Sequence, residues 1–173
     1  MAKPVRADAD GAWTLFSQTP VTRQADLLAE IRVLTSTVFA GLDLEREIVA
    51  VWAHGIGDTV LLHSEGQLHG MAVCHRGAGS EAGSGVCYVK FAAVRSGAEA
   101  ADRFERLLDV CEAWAAGSRL ERLVAGVNTG RLDAYRRMLR CGFRADLIGV
   151  SMRLRPDEPD FDTPDHYVLD DLR

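Results

Sequence analysis

The sequence predicts a mixed α/β domain in which helices flank a mostly antiparallel sheet with one parallel strand pair at its centre. Three observations support this fold class. Two segments with helical spacing of apolar residues come first, and three short strands separated by turn signals follow them. The chain then alternates helix, strand and helix, an order that implies a parallel pair joined by a right-handed crossover.

The chain is expected to form one domain, because 173 residues suffice to build a single core that buries about two-thirds of the unfolded surface. We interpret residues 1–21 as a lead-in segment, since Pro4, Gly11 and Pro20 interrupt it, and residues 22–173 as the domain itself. The lead-in residues expected to dock on the core are Trp13, Leu15 and Phe16.

Two helices are expected at the start of the domain. From Thr22 onward, apolar residues recur at steps of three and four, and a second set with the same spacing runs from Leu44 to Trp52. Asp43 precedes the second set and is a residue type that caps helix N-termini well. The apolar residues of the first set are Leu27, Leu28, Ile31, Leu34 and Val38.

Three antiparallel strands are expected next. Segments 58–64 and 67–76 flank the dipeptide Glu65-Gly66, which is a two-residue turn signal, so they are predicted to form a hairpin. A third strand, residues 85–95, follows the glycine-rich loop 77–84. Together these segments indicate an antiparallel meander.

The second half of the chain is expected to supply the parallel pair. Residues 104–115 carry a helical stripe, residues 121–127 form a short buried strand, and residues 130–140 form a further helix. Closing strands are predicted at 144–154 and 166–170. The residues of the last helix expected to face inward are Leu132, Tyr135 and Leu139.

Composition excludes several classes of function. The net charge of −5 argues against a general nucleic-acid binder. The four cysteines lack CxxC pairing and metal-spaced histidines, so neither a metal site nor a disulfide framework is expected. No apolar signal core and no run long enough to cross a bilayer is found. We therefore expect a cytoplasmic protein with reduced thiols and no nucleic-acid or membrane partner.

Three segments carry a resemblance to a known family: VCYVKFAAV at 86–94, RFERLLDVCEAWA at 103–115 and AGVNTGRLDAYRRMLRCGF at 125–143. They resemble the GNAT superfamily of acyl-CoA-dependent N-acyltransferases, over about residues 22–170. The last segment is the most specific. Further stretches, AGLDLEREI, GAGSEAGSG and the terminal YVLDD among them, resemble the degenerate second half of actinobacterial proteins that carry two GNAT units.

The resemblance implies acetyl-CoA as the cofactor and a GNAT-like sheet in which the parallel strands splay apart. Main-chain groups of the first strand then bind the pantetheine arm as an added strand, and the following helix presents its N-terminal amides to the pyrophosphate. The cofactor-binding positions so implied are Ala92, Ala93, Val94 and Arg95 on the strand and Ala100, Ala101, Asp102 and Arg103 at the helix start.

The sequence departs from the family pattern at the phosphate loop. The positions of the usual Gln or Arg and of the two small residues are held by Glu99, Asp102 and Phe104. Two carboxylates repel a pyrophosphate, and the ring fills space that the backbone normally leaves open. The helix dipole still favours an anion by up to about 1 kcal/mol. We expect CoA binding to be weakened or absent.

The usual acid is also missing, because Met138 stands where the family often has a tyrosine. We hypothesise that Tyr135 replaces it, with simple packing of the ring as the alternative. Glu81 is a candidate base for the amine, or a solvated acid at a hairpin tip. Asn128 either bonds the pantetheine or caps a helix, and Arg131 is a candidate for the 3′-phosphate of CoA.

Two functions remain open at this point. One is an acetyl-CoA-dependent N-acetyltransferase that acts on a primary amine of a small molecule or protein by direct transfer. The alternative is a catalytically degenerate GNAT-fold module that serves as a dimerisation or regulatory unit. In either case a homodimer is expected, through an exposed edge at Tyr167, Val168 and Leu169.

Overall fold

The structure of the protein, a computed structural model, describes residues 13–150 and 166–170. Within these residues, six strands and four helices follow one another along the chain. Their bounds are β1 Trp13–Leu15, α1 Val21–Val38, α2 Glu45–Ala53, β2 Gly57–Ser64, β3 Gln67–Gly77, β4 Gly83–Val94, α3 Ala100–Gly117, β5 Arg122–Ala125, α4 Leu132–Arg140 and β6 Val168–Leu169.

The strands form one mixed sheet in the order β1-β2-β3-β4-β5, with β6 also paired to β4. The neighbours from β1 to β4 are antiparallel, whereas β4 and β5 run parallel over residues 86–89 and 122–125. Helix α3 connects the two parallel strands. The predicted fold class, a mostly antiparallel sheet with one parallel pair and flanking helices, is confirmed.

Each face of the sheet carries its own core. On one face, Ile31 of α1 and Ile48 of α2 belong to a cluster with Met71 of β3, and on the other Phe104 and Leu107 of α3 belong to a second cluster. Alternate strand residues reach opposite faces because the side-chain period of a strand is two. Burying each large apolar side chain contributes about 1.5–3 kcal/mol, so both clusters hold the sheet.

The lead-in segment is more regular than the sequence predicts. Trp13 pairs with Leu62 and Leu15 with Val60, so residues 13–15 extend the sheet past β2. Phe16 follows in a short 3₁₀ turn and is fully buried, in agreement with the expected docking on the core. A three-residue strand is too short to show alternation, which is why the pattern did not reveal it.

The inward face of α4 differs from the prediction. Ala134 and Met138 are the buried residues of this helix, whereas Leu132 is 46% exposed and Leu139 is 43% exposed. Tyr135 is half-buried. The prediction that Leu132, Tyr135 and Leu139 face inward was wrong for both leucines. A small residue at 134 suits a closely packed helix face, and a pattern that weighs large apolar residues misses it.

The structure differs from most of the prediction of two closing strands at 144–154 and 166–170. Residues 144–150 contain no strand, and residues 151–154 lie outside the described part of the chain. Of 166–170, the pair Val168–Leu169 is a strand. Both residues are 1% exposed, so the exposed edge expected at Tyr167, Val168 and Leu169 is not present. Leu147, Ile148 and Val150 are the most exposed large apolar residues in the described part of the chain, at 84–85%.

Two further observations concern the hydrophobicity of the helices and the state of the cysteines. Within the described residues, none of the helices combines the length and apolar character that crossing a bilayer requires. All four cysteines are free thiols, and Cys74, Cys87 and Cys111 are buried. Hydrogen bonds with Cys111 and Cys87, together with burial, raise the pKa of the Cys74 thiol, so it stays protonated.

Candidate functional site

A β-bulge divides β4 at Lys90. In the pairing with β3, Phe91 lies opposite Val73 and Val89 lies opposite Cys74, so Lys90 is the extra residue. A bulge bends its strand and increases the local twist. The parallel ladder with β5 ends at Val89, directly before the bulge. The bulge therefore marks the point where β4 and β5 stop pairing.

Beyond the bulge, the same edge of β4 binds residues 167–170, which we call the inserted segment. Ala92 lies opposite Leu169 and Ala93 opposite Val168, in antiparallel register. The other edge of β4 is taken by β3 along this whole length. The inserted segment therefore lies on the side of β4 from which β5 has diverged.

The inserted segment also contacts the chain that continues from β5. On the β4 side, the amide of Val94 donates to the carbonyl of Tyr167 at 3.3 Å. On the far side, the amide of Asp170 donates to the carbonyl of Gly126, the residue after β5, at 3.2 Å. One extended strand thus fills the gap between the two diverging strands.

Arg131 fixes the inserted segment from the start of α4. Its side chain is 1% exposed, and its Nη1 donates to the carbonyl of Val168 at 3.3 Å and to Asp170 Oδ2 at 3.0 Å. A buried guanidinium needs such partners, because an uncompensated buried charge is strongly destabilising. Arg131 is thereby committed to the inserted segment in this arrangement.

Tyr167 is held on the same side. Its hydroxyl donates to Asp133 Oδ2 at 2.5 Å, and its ring lies 5.4 Å from that of Phe104. Burial and the contact with Asp133 raise the pKa of Tyr167. The hydrogen bonds from Tyr167 and Arg137 lower the pKa of Asp133. At neutral pH the pair is a neutral phenol bonded to a carboxylate.

The start of α3 lies directly after β4 and gathers basic side chains. Arg103 donates to Glu99 Oε2 at 2.7 Å and to the carbonyl of Arg95 at 3.3 Å. The guanidinium of Arg95 donates to the carbonyl of Leu68. Burial lowers the pKa of His69, and the charges of Arg103 and Arg95 lower it further. Two cations therefore lie beside the first turn of α3, and one of them neutralises Glu99.

A cavity of about 380 Å³ opens next to the bulge. On one side it is lined by Lys90, whose ammonium donates to both carboxylate oxygens of Glu81 at 2.7 and 2.8 Å. On the other side it is lined by Glu47, whose Oε1 lies 3.1 Å from Nε2 of the buried His75. The complete lining is Asp43, Leu44, Arg46, Glu47, Lys90 and Phe91.

Several solved structures are similar to this chain in overall fold. The chain matches AAC(6′)-Iy in complex with a CoA-based bisubstrate analogue at 12% identity, over 85% of this chain and 99% of that one, with a TM-score of 0.57. It matches the aminoglycoside 6′-N-acetyltransferase AAC(6′)-Ih of Acinetobacter baumannii at 12% identity, over 83% and 97%, with a TM-score of 0.58. An acetyltransferase of Trypanosoma brucei matches at 15% identity, over 84% and 100%, with a TM-score of 0.56.

The chain has the GNAT fold. No family model matches its sequence, and no curated protein matches it either. At identities of 12–15%, the likeness to the solved structures establishes the fold alone.

Within this GNAT fold, the residues predicted for the cofactor fall into two groups. Ala92, Ala93 and Val94 lie on the edge of β4 that now carries the inserted segment. The helix-start group lies at the N-terminal turn of α3, where Ala100 is buried and Asp102 is exposed. The other two members of that group, Ala101 and Arg103, are half-buried.

The remaining candidates are spread over the GNAT fold. Asn128 accepts from the amide of Gly130 at 2.9 Å, in the turn that leads into α4. Tyr135 lies one helical turn after Arg131. Glu81 is bonded to Lys90, which lines the cavity.

Two features of the site were missed from the sequence. Glu47 and His75 meet across 28 positions of the chain, from α2 to β3. No local spacing links them, so only the tertiary fold reveals the pair. Lys90 had a weak signal, because it is one of only two lysines in the chain and interrupts the apolar strand between Val89 and Phe91.

Proposed function

We propose that this chain is an acyl-CoA-dependent N-acyltransferase that transfers acetyl from acetyl-CoA to a primary amine. The observation that carries the proposal is the divergence of β4 and β5 at the Lys90 bulge, with α3 beginning directly after β4. AAC(6′)-Iy has been solved with CoA and with a bisubstrate analogue, which supports an acyl-CoA role for this geometry.

The β4 edge fits an extended, amide-bearing ligand. It already binds one extended chain through Ala92, Ala93 and Val94. The pantetheine arm carries amides that can replace those of a strand. Acetyl-CoA supplies a thioester, and its carbonyl carbon is the atom that an amine attacks. We propose that these residues hold the arm and that Asn128 binds its outer amide.

The pyrophosphate is proposed to lie at the first turn of α3. The backbone amides of Ala100 to Arg103 lie at the N-terminus of α3, which is the positive end of its dipole. Arg95 and Arg103 add positive charge beside them. Asp102 opposes binding, but Glu99 is neutralised by its 2.7 Å ion pair with Arg103. Weak rather than tight CoA binding is the expected result. Arg131 is proposed for the 3′-phosphate once the inserted segment releases it.

The cavity beside Lys90 is proposed as the acceptor site. Glu47 presents a carboxylate that attracts a protonated amine, and the buried His75 fixes its position. The transfer forms a nitrogen–carbon bond and breaks the carbon–sulfur bond. The amine proton passes to a carboxylate or to water, with Glu81 as the candidate base. The thiolate needs a proton in return, for which Tyr135 is the candidate donor.

A calorimetric titration of acetyl-CoA into the full chain tests the proposal. We expect saturable heat, and we expect Arg103→Gln to weaken it by about tenfold, because a charge-assisted contact is lost. The matched control is Arg122→Gln, since Arg122 lies on β5 and pairs with exposed Asp146. Absence of heat at millimolar cofactor, both in the wild-type chain and in variants that loosen residues 167–170, would contradict the proposal.

Catalysis itself is tested by acetylation of a panel of primary amines. If Tyr135 donates the proton, Tyr135→Phe lowers turnover by about 10²-fold with little change in melting temperature. Unchanged turnover would show that the ring of Tyr135 only packs.

The second candidate is a non-catalytic GNAT-fold module that acts as a regulatory or dimerisation unit. Two observations favour it: the inserted segment fills the gap between the diverging strands, and Phe104 is fully buried at a position where the family keeps a small residue. The resemblance to the degenerate half of tandem GNAT proteins points the same way. The titration above separates the two functions.

We also propose that the chain forms a homodimer in the cytoplasm. In the described residues β5 is the last strand of its side of the sheet, and Arg122 of β5 pairs with Asp146. Leu147, Ile148 and Val150, which follow Asp146, are 84–85% exposed. Exposed apolar residues beside a free edge favour association. Light scattering at high micromolar concentration is expected to give a dimer, and Leu147→Asp with Ile148→Asp is expected to give a monomer.

A further inference from the structure

We propose that the inserted segment, residues 167–170, is a built-in competitor of acyl-CoA, so that the cofactor binds only after this segment has left β4. The inference rests on the proposed function and adds a regulation to it. It assigns a role to a segment that is distant in sequence from the cofactor motifs but pairs with β4 in the fold.

The first argument is that both ligands need the same main-chain groups. The amide of Val94 donates to the carbonyl of Tyr167 at 3.3 Å, and Ala92 pairs with Leu169. A strand edge offers one row of donors and acceptors, so it can bind only one extended chain at a time. A pantetheine arm on this edge therefore requires the removal of residues 167–170.

The second argument concerns charge. Asp170 places its carboxylate 3.0 Å from the buried Arg131 guanidinium. When the inserted segment leaves, Arg131 loses its bonds to Asp170 and to the carbonyl of Val168. A phosphate of CoA is an anion that can take the place of Asp170. The competition thus extends from the main chain to a charged group.

The third argument is that the inserted segment is held firmly enough to lower the apparent affinity for the cofactor. Val168 belongs to the core on the side of α1 and α2, Leu169 belongs to the core on the side of α3, and both are 1% exposed. Tyr167 adds its hydrogen bond to Asp133. The bound form therefore dominates, and the apparent affinity for the cofactor falls by the fraction of molecules that are open.

A reversible tether tests the competition in the full chain. Ala93 and Val168 lie opposite each other, and the bond from Val94 to Tyr167 at the next pair places them at a non-hydrogen-bonded position, where side chains approach closely. In the double variant Ala93→Cys with Val168→Cys, oxidation is expected to lock the inserted segment onto β4. Mass spectrometry checks the cross-link, and calorimetry measures the affinity for CoA.

We expect oxidation to weaken CoA binding by at least about tenfold and reduction to restore it. The single variants Ala93→Cys and Val168→Cys control for the native thiols, because each should bind CoA with the same affinity before and after treatment with the oxidant. Equal CoA affinity in the oxidised and reduced double variant overturns the competition while leaving the proposed function standing.

The opposite change is made by Tyr167→Phe combined with Asp170→Ala, which loosens the inserted segment. CoA affinity is expected to rise by about tenfold, and the Val94 amide is expected to exchange faster with solvent. Asp146→Ala is the matched control, because it removes a surface carboxylate outside the site. Failure of every form to bind CoA, the reduced and loosened ones included, refutes the proposed function and the competition with it.

Discussion

The two halves of β4 have different neighbours on one and the same edge. Residues 86–89 pair in parallel with β5, which the chain reaches through the single crossover helix α3. Ala92 and Ala93, past the bulge, pair with β6, which comes from the far end of the sequence. The first half is built into the crossover unit, whereas the second half binds a segment that can leave without breaking that unit. A single extra residue, Lys90, separates permanent from exchangeable pairing.

The largest effect is expected from truncating a core residue of the crossover helix α3. Leu107→Ala should lower the free energy of unfolding by about 2–5 kcal/mol, because α3 cannot relax away from the cavity. Leu169→Ala removes the same side chain from the inserted segment and should cost less, about 1–2 kcal/mol, because local release limits the loss. Chemical denaturation measures both. Equal losses would show that the inserted segment is as permanent as α3.

The next effect compares two ion pairs in a double-mutant cycle. Arg131 and Asp170, whose side chains are 1% and 31% exposed, should show a coupling of about 1–3 kcal/mol on stability. Arg122 and Asp146, beside the permanent half, are 60% and 68% exposed and should couple by less than about 0.5 kcal/mol. Similar coupling for the two pairs would remove the distinction between them.

A pH dependence should follow from Tyr167. Its pKa is raised in the folded chain, so its contribution to stability is complete below its ordinary value and is lost as the pH rises through the folded value. The lowered pKa of Asp133 acts in the opposite range, since its contribution is present above the ordinary carboxyl value and is lost in acid. The protection factor of the Val94 amide, which corrects the exchange rate for intrinsic base catalysis, should therefore fall in alkali.

Tyr167→Phe provides the control for this pH dependence. The variant keeps the ring beside Phe104 but has no hydroxyl to ionise. The alkaline fall of the Val94 protection factor should disappear in it, whereas a wild-type profile in the variant would mean that another group is responsible.

The smallest effect is expected at the bulge itself. Glu81→Gln removes the charge that Lys90 meets, but the two side chains are 43% and 25% exposed, so the loss of stability should stay below about 1 kcal/mol. Thermal denaturation checks it. A larger loss would indicate that this ion pair, and not main-chain geometry, holds the bulge that divides β4.

Much of the fold could be predicted from local pattern. The period of apolar residues located α1, α2 and α3, and the Glu65-Gly66 turn signal located the hairpin, because these features depend on neighbours within a few positions. The face of α4 was misjudged because Ala134, a small residue, marks it. Strand β6 could be placed near its true position, yet its partner could not be predicted, since pairing over such a separation leaves no local signal.

The candidate site divides in the same way. The resemblance to a family pointed to Ala92, Ala93 and Val94 as cofactor-binding residues, which stays a prediction, and in the structure this edge of β4 pairs with an extended segment. The occupant of that edge, the Lys90 bulge and the contact between Glu47 and His75 each depend on tertiary packing. None of them corresponds to a spacing in the sequence.

The opposite orientations of Val168 and Leu169 bear on how ligands of this protein should be sought. A molecule that takes the place of the inserted segment uncovers one apolar side chain on each face of the sheet while it buries its own arm. The net change in apolar hydration is then small, so the heat capacity of association should lie near zero instead of at the negative value typical of ligand burial. Thermal-shift screening still registers such a molecule once its concentration exceeds its apparent dissociation constant, but that constant is raised because the inserted segment must first leave.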